Sequence, residues 1–119
     1  MRLAIIIPTV NEEAGIEAAL ARLAPMRERG VRVIVADGGS ADATVQRAWK
    51  GADAVVISSR GRGRQMNAGA RHPLADESDA LLFLHADTQL PPEADRLVMR
   101  GLANSECAWG RFDVDIEGR

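Results

Sequence analysis

Leu3-Ala4-Ile5-Ile6-Ile7, stopped by Pro8, is a short apolar run with no polar interruption. A run of this length, rich in β-branched side chains, reads as a strand buried on both faces, and strands buried on both faces belong to parallel sheets with helices above and below. Directly after it, Asn11-Glu12-Glu13 opens a helix whose apolar residues Ile16, Ala19, Leu20 and Leu23 fall at i, i+3, i+4 and i+7, with Pro25 and Gly30 expected to close it. The next apolar run, Val31 to Ala36, is a second strand stopped by Asp37-Gly38-Gly39-Ser40. Strand, helix, strand within this span is one parallel crossover unit.

The alternation continues outward. A second helix starts near Asp42 and presents Val45, Ala48 and Trp49 on one face; Ala54 to Ile57 is a third strand. Ser58-Ser59 leads into the arginine-glycine segment 60–64, followed by a small-residue helix from about Gln65 to Arg71. Ala80 to Leu84 is a fourth strand. Pro91-Pro92-Glu93 starts a fourth helix, with proline where its missing N–H costs nothing, and that helix is expected to bury Ala94, Leu97, Val98, Gly101 and Leu102. A final extended segment begins near Cys107. The fold class this predicts is α/β, a mostly parallel Rossmann-like sheet flanked by helices.

Composition narrows the function. The chain has 119 residues, one small domain's worth, with 46% hydrophobic and 27% charged residues, too apolar for a disordered protein. Fifteen basic against seventeen acidic residues leave a net charge of −2, which argues against a dedicated nucleic-acid binder. Two Trp, two Phe and no Tyr leave little for a base-stacking surface. The single cysteine, Cys107, excludes an internal disulfide framework and fits a reducing compartment. No run approaches the roughly 18 apolar residues of a membrane span, and the N-terminus has no signal-type pattern. The expectation is a soluble, cytoplasmic domain. All basic residues except Lys50 are arginine, so basic contacts must be made by guanidinium groups.

The polar residues gather at one edge. Pro8, Thr9 and Asn11 follow the first strand, Asp37 and Ser40 the second, Ser58 and the arginines the third, His85 and Asp87 the fourth. All stand at the carboxyl ends of strands, where open α/β sheets bind ligands. Helix N-termini at the same edge favour anions. Carboxylates, arginines and helix N-termini together point to a phosphorylated ligand with a metal, and a nucleoside diphosphate meets each requirement. Taken one at a time, the same residues have plainer readings. Asp37-Gly38-Gly39-Ser40 also fits a turn and helix cap, Asn11 and Glu12 a cap and first turn, His85 a structural histidine, and the arginines 60, 62 and 64 a solvated loop. Gly61-Arg62-Gly63 does not complete a dinucleotide Gly-x-Gly-x-x-Gly, because Met66 stands at the last position and the segment follows the third strand.

The motifs resemble those of family 2 glycosyltransferases. Ile5-Ile6-Ile7-Pro8-Thr9-Val10-Asn11-Glu12 is similar to that family's opening motif, and Val35-Ala36-Asp37-Gly38-Gly39-Ser40-Ala41-Asp42-Ala43-Thr44 to its second-strand signature. Gly63-Arg64-Gln65-Met66-Asn67-Ala68-Gly69-Ala70 resembles the third block, and Phe83-Leu84-His85-Ala86-Asp87-Thr88 the metal-binding block. The four occur in the family's order over about residues 3 to 92. The resemblance implies a GT-A fold, a nucleoside-diphosphate sugar as donor (a UDP-sugar first among them) and inverting transfer to an acceptor hydroxyl. It implies that Pro8, Thr9 and Glu12 lie against the nucleoside, that Asp37 accepts a hydrogen bond from the base, and that Asp87 holds a divalent cation, Mn or Mg, on the diphosphate. An arginine of the run, Arg64, is implied at the phosphates. The His-Ala-Asp-Thr form with the preceding Arg-Gly run resembles a bacterial subgroup labelled with arsenosugar biosynthesis.

Three departures accompany the resemblance. His85 stands where the family usually has aspartate, and Met66 where an arginine is frequent, which makes Arg64 a substitute. The family's catalytic base belongs to a later segment that has no counterpart here, so residues 1–119 are expected to be the nucleotide-sugar-binding half of a GT-A domain, an incomplete one, since a whole domain of this fold takes roughly 200 residues. Two other readings stay open: a nucleotidyltransferase acting on a sugar phosphate, and a non-catalytic half-domain that associates with itself or a partner through its open sheet edge. Peripheral membrane contact, common in the family, also remains open.

Overall fold

The computed structural model describes residues 2–103; the extended segment expected from Cys107, with Trp109 and Phe112, lies outside the described residues. Four strands form one parallel sheet in the order β3-β2-β1-β4, built from β1 (Leu3–Thr9), β2 (Arg32–Asp37), β3 (Ala54–Ile57) and β4 (Ala80–Phe83). In register, Ile6 of β1 lies between Ile34 of β2 and Phe83 of β4. The chain steps outward from β1 to β3 and then returns to the other side of β1. That reversal makes the carboxyl ends of β1 and β4 the switch point at which an open α/β sheet offers a crevice. The α/β expectation is met.

The apolar run of β1 is buried on both faces, as its lack of alternation requires. Leu3, Ile5 and Ile7 point to one side, joining Val33 and Val35 of β2 and Leu82 of β4 under α1 (Ile16–Glu28), α2 (Thr44–Ala48) and α5 (Ala94–Ala103). Ala4 and Ile6 point to the other, with Ile34 and Ala36, under α3 (Arg62–Ala70) and α4 (Pro73–Asp76). On this second face α3 lies close: a Cβ on Gly69 would stand 2.6 Å from Ile6 Cγ2. Burying an Ile side chain fully contributes about 1.5–3 kcal/mol, so the central strand carries much of the folding energy.

Several expectations need correction. Pro25 does not end α1, which continues to Glu28. Both Pro25 and Ala21, whose carbonyl loses its partner, face solvent, which leaves that carbonyl open to water. Trp49 is 55% exposed instead of buried beside Ala48, because the buried face of α2 runs through Thr44 and Ala48, and Gly51 takes the close contact with Leu20. Leu97 is 41% exposed; Ala94, Asp95 and Val98 are buried, and the expected burial of Gly101 and Leu102 lies outside the described side chains. The arginine run is partly helical, since α3 begins at Arg62 and not at Gln65. The short helix α4 was not anticipated; His72 caps it, its Nδ1 accepting from Leu74 N at 3.1 Å.

Candidate functional site

The loops after β1 and β2 are fastened to each other side chain to backbone. Asn11 adopts a left-handed conformation, φ 52°, that asparagine tolerates better than most residues. This turns its N–H toward Ser40 Oγ at 2.8 Å and its side-chain Oδ1 toward the Ala41 N–H at 2.8 Å. The Glu12 N–H donates to Thr44 Oγ1 at 2.8 Å, Glu13 Oε1 accepts from Ala43 N at 3.1 Å, and Arg47 Nη1 donates to the Glu13 carbonyl at 2.9 Å. Asp42 accepts from the Thr44 N–H at 3.0 Å and from the Thr44 hydroxyl. Hydrogen bonding from the Thr44 side chain, ahead of its backbone N–H, holds the Asp42 carboxyl below its ordinary pKa.

Asp37 stands at the centre of this region, wholly buried at the carboxyl end of β2. Its Oδ1 accepts from the Thr9 hydroxyl at 2.8 Å and the Ser40 hydroxyl at 2.6 Å; its Oδ2 accepts from Gly39 N at 2.9 Å and Ser40 N at 2.7 Å. A carboxylate has about four acceptor positions, and here protein donors engage all of them. Gly39, at φ 87°, makes the turn that brings both N–H groups onto one oxygen. Asp37 therefore shapes the loop from beneath. Pro8 is half-buried, Thr9 is buried and bonded to Asp37, and the Glu12 side chain is half-buried on the loop above α1.

The loop after β3 closes on the same place. Arg60 reaches back to the carbonyls of Gly38, at 3.4 Å, and Gly39, at 3.1 Å. Gly61, at φ 141°, then turns the chain into α3. Beneath it lies Gln65, 3% exposed: its Nε2 donates to the carbonyls of Thr9 and Ala36, both at 2.9 Å, and its Oε1 accepts from the Gly61 N–H at 3.2 Å. Arg62 and Arg64 stand exposed on the first turn of α3. Arg62 Nη2 contacts His85 Nε2, which joins the arginine turn to the segment after β4. His85 and Asp87 are both exposed, two residues apart with buried Ala86 between them. No group of three or more His, Cys, Asp or Glu side chains with metal-ligand geometry occurs among the described residues.

All seven residues singled out from the sequence thus stand at the carboxyl edge of the sheet. Thr9 and Asp37 are in direct contact, whereas Arg64 is not in contact with His85; that position belongs to Arg62. From the sequence, Arg60 is read only as part of the arginine run, Glu13 as part of a helix opening and Gln65 as part of the third block, with no site role assigned to any of them. For Gln65 a signal was present: a polar residue one turn before Gly69 on a helix of small residues, placing both on the face toward the sheet. Among the described residues, no helix is long and apolar enough to cross a membrane.

A parallel α/β sheet whose polar side chains and arginines converge on its carboxyl edge has the architecture of a nucleotide-binding fold. The sequence profile of Glycosyl transferase family 2 matches residues 4–119, and the chain belongs to that family. Its fold is the Rossmann-like GT-A fold. Among solved structures it is similar to glucosyl-3-phosphoglycerate synthase from Mycobacterium tuberculosis, in complex with Mn2+, UDP and glucosyl-3-phosphoglycerate, at 25% identity and a TM-score of 0.73, over 88% of this chain and 40% of that one. It also resembles S. aureus TarS 1-349, at 24% identity and a TM-score of 0.73, over 87% of this chain and 32% of that one, a likeness of fold. The chain thus spans well under half the length of these relatives. No curated protein sequence matches it.

Proposed function

We propose that residues 1–119 form the donor-binding part of an inverting glycosyltransferase, holding a nucleoside-diphosphate sugar, a UDP-sugar, for transfer to an acceptor hydroxyl. The observation that supports this best is the convergence of buried Asp37, the exposed arginine turn and the His85–Asp87 pair on one sheet edge. In this reading the nucleoside lies against Pro8, Thr9 and Glu12, above the loop that Asp37 shapes. Arg64, with Arg62, faces the diphosphate, where planar guanidinium groups pair well with phosphate oxygens. The relative solved with Mn2+ and UDP supports a divalent cation, Mn or Mg.

The side chains present suit such a cation only in part. Asp87 is an exposed carboxylate, the hard oxygen donor that Mg or Mn takes alongside substrate phosphates and water. His85 supplies a nitrogen two residues away, but Arg62 lies against its Nε2, so Asp87 is the primary ligand and His85 an auxiliary one. When bound, the cation neutralises charge on the departing diphosphate. Arg62 and Arg64 add positive charge on the same side. Removal of the acceptor proton falls to a general base outside this donor-binding set. On its own the 119-residue chain therefore binds nucleotide weakly and turns over little. The narrower arsenosugar-type assignment rests on the His85-Ala86-Asp87-Thr88 block and the Arg-Gly run alone.

Calorimetric titration of UDP in the presence of Mn, repeated with EDTA, tests the reading. Wild type should give metal-dependent binding. Asp87→Ala should lose more than about tenfold in metal-dependent affinity, since removing even a partner of a metal ligand costs about 10–100-fold. Absence of heat at millimolar UDP from folded protein would overturn the donor site. A second reading, a half-domain completed by self-association, draws on β4. It is an edge strand of the described sheet whose Leu81 and Phe83 are 38% and 46% exposed beside a cavity of about 460 Å3. Sedimentation across a concentration series separates the two, because a monomer throughout removes the second.

A further inference from the structure

We propose that Gln65 is the positioning residue of this site, setting the arginine turn at a fixed distance and angle from the Asp37 loop. The proposal rests on the donor-site reading above and extends it to how the two halves of the ligand are held in register.

Gln65 performs two tasks with one carboxamide. Its Nε2 spans two neighbouring strand ends, donating to Thr9 O in β1 and Ala36 O in β2, both at 2.9 Å. Its Oε1 takes the Gly61 N–H at 3.2 Å, while its own backbone N–H donates to Gly61 O at 2.8 Å. This reciprocal pair does the work of a capping box, satisfying the first free N–H of α3 and fixing where the helix starts. Arg62 and Arg64 follow directly on that first turn, so their placement depends on Gly61, and Gly61 depends on Gln65.

The Asp37 loop has further ties of its own. It is closed by its own bonds to Thr9, Gly39 and Ser40 and by the Asn11 bridge to Ala41. Gly38 connects the two systems by its lack of a side chain: a Cβ there would stand 2.7 Å from Gln65 Cδ and Oε1. A methyl at position 38 therefore displaces the carboxamide without substituting any residue of the arginine turn itself.

This asymmetry makes the test specific. Gln65→Met keeps length and removes all three side-chain hydrogen bonds; Gly38→Ala keeps Gln65 and pushes it aside. Each variant, shown folded by thermal unfolding, is titrated with UDP plus Mn and with uridine, and amide hydrogen exchange is followed at Gly61. The expected result is a loss of about tenfold in UDP affinity for either variant, the size of one net hydrogen bond. Uridine binding changes less than about twofold, and the double variant is no weaker than the worse single one, since both act through one contact. Exchange at Gly61 speeds up in Gln65→Met. A folded Gln65→Met with wild-type UDP affinity, or with equal losses for uridine and UDP, overturns the proposal. If Gln65→Met does not fold, Gly38→Ala decides by the same split. Should wild type bind no UDP, the donor reading falls at that step, and unchanged Gly61 exchange in the variant separately removes the clamp.

Discussion

The two ends of the sheet are held by different chemistry. At the carboxyl end, loops are joined by side chains that bond to backbone: Asn11 to Ala41, Glu13 to Ala43, Arg60 to Gly38 and Gly39, Gln65 to Thr9 and Ala36. At the amino end the ties are ion pairs. Arg27 grips Asp53 with two bonds of 3.1 and 2.9 Å, and Arg29 grips Asp95 with two of 3.0 and 2.8 Å while reaching Pro92 O. Directional bonds to backbone fix the course of a loop and leave its exposed charges unspent, which suits an edge that must meet a charged ligand. Paired charges neutralise one another and suit a seam between α1, β3 and α5. The cavity at that amino end, about 330 Å3 and bordered by Arg2, Arg29, Arg32 and Arg96, lies at the opposite edge from Asp37 and Asp87.

The sharpest way to break this contrast is Asp37→Ala. It leaves two hydroxyls and two N–H groups without their acceptor in a wholly buried position. Hydrogen bonds to a charged group contribute about 1.5–3 kcal/mol each, and they act here as a unit, so a loss of about 3 kcal/mol or more is expected in urea unfolding. UDP binding should vanish with it. A loss below about 1 kcal/mol would mean that the neighbouring loop bonds hold this edge without Asp37.

Acid titration sharpens the comparison from the other end. Hydrogen bonds from Arg29 hold the Asp95 carboxyl below its ordinary pKa against the opposing effect of burial. At Asp53, burial acts to raise the pKa, but Arg27 and the Val33 N–H outweigh it and the net shift is downward. A carboxyl whose folded pKa lies below its unfolded value, near 3.9, adds stability that is fully present above that value and is lost as pH falls through the folded one. Stability should therefore be flat toward neutral pH and decline below about pH 4. Asp95→Asn should lower the urea midpoint at neutral pH by less than Asp37→Ala and shrink the decline in acid. An unchanged acid limb would show that the Arg29–Asp95 pair contributes nothing measurable.

Much of this architecture was legible from residue order because burial leaves a periodic trace. The unbroken run in β1 and the i, i+3, i+4 spacing of α1 each reflect one buried surface, and the strand ends were marked by Pro8 and by Asp37-Gly38-Gly39-Ser40. The site residues were legible as a group because four strand ends in a parallel sheet lie side by side. Their bonding was not. That Asp37 spends its lone pairs on Thr9, Gly39 and Ser40, or that Arg62 and not Arg64 meets His85, depends on loop geometry with no periodicity to betray it. The role of Gln65, visible only as one residue of the third block, is hidden for a related reason: a single buried amide among small residues looks like solvent-facing filler until the helix is placed on the sheet.

Trp49 is the instructive failure and gives the smallest expected effect. Its spacing from Val45 and Ala48 placed it on the buried side of a helix, and a Trp in that position would cost several kcal/mol to truncate, about 3–5. The buried face runs through Thr44 and Ala48 instead. α2 is five residues long, Gly51 takes the close contact with Leu20, and the indole is 55% exposed. Trp49→Ala should therefore change stability by no more than about 0.5 kcal/mol and leave UDP affinity untouched, as for a surface substitution away from any bonded feature. The measurement discriminates because the two readings differ several-fold. A loss near 3 kcal/mol would place the indole against a surface outside residues 2–103, and the contrast between the two sheet ends would then need a third region to complete it.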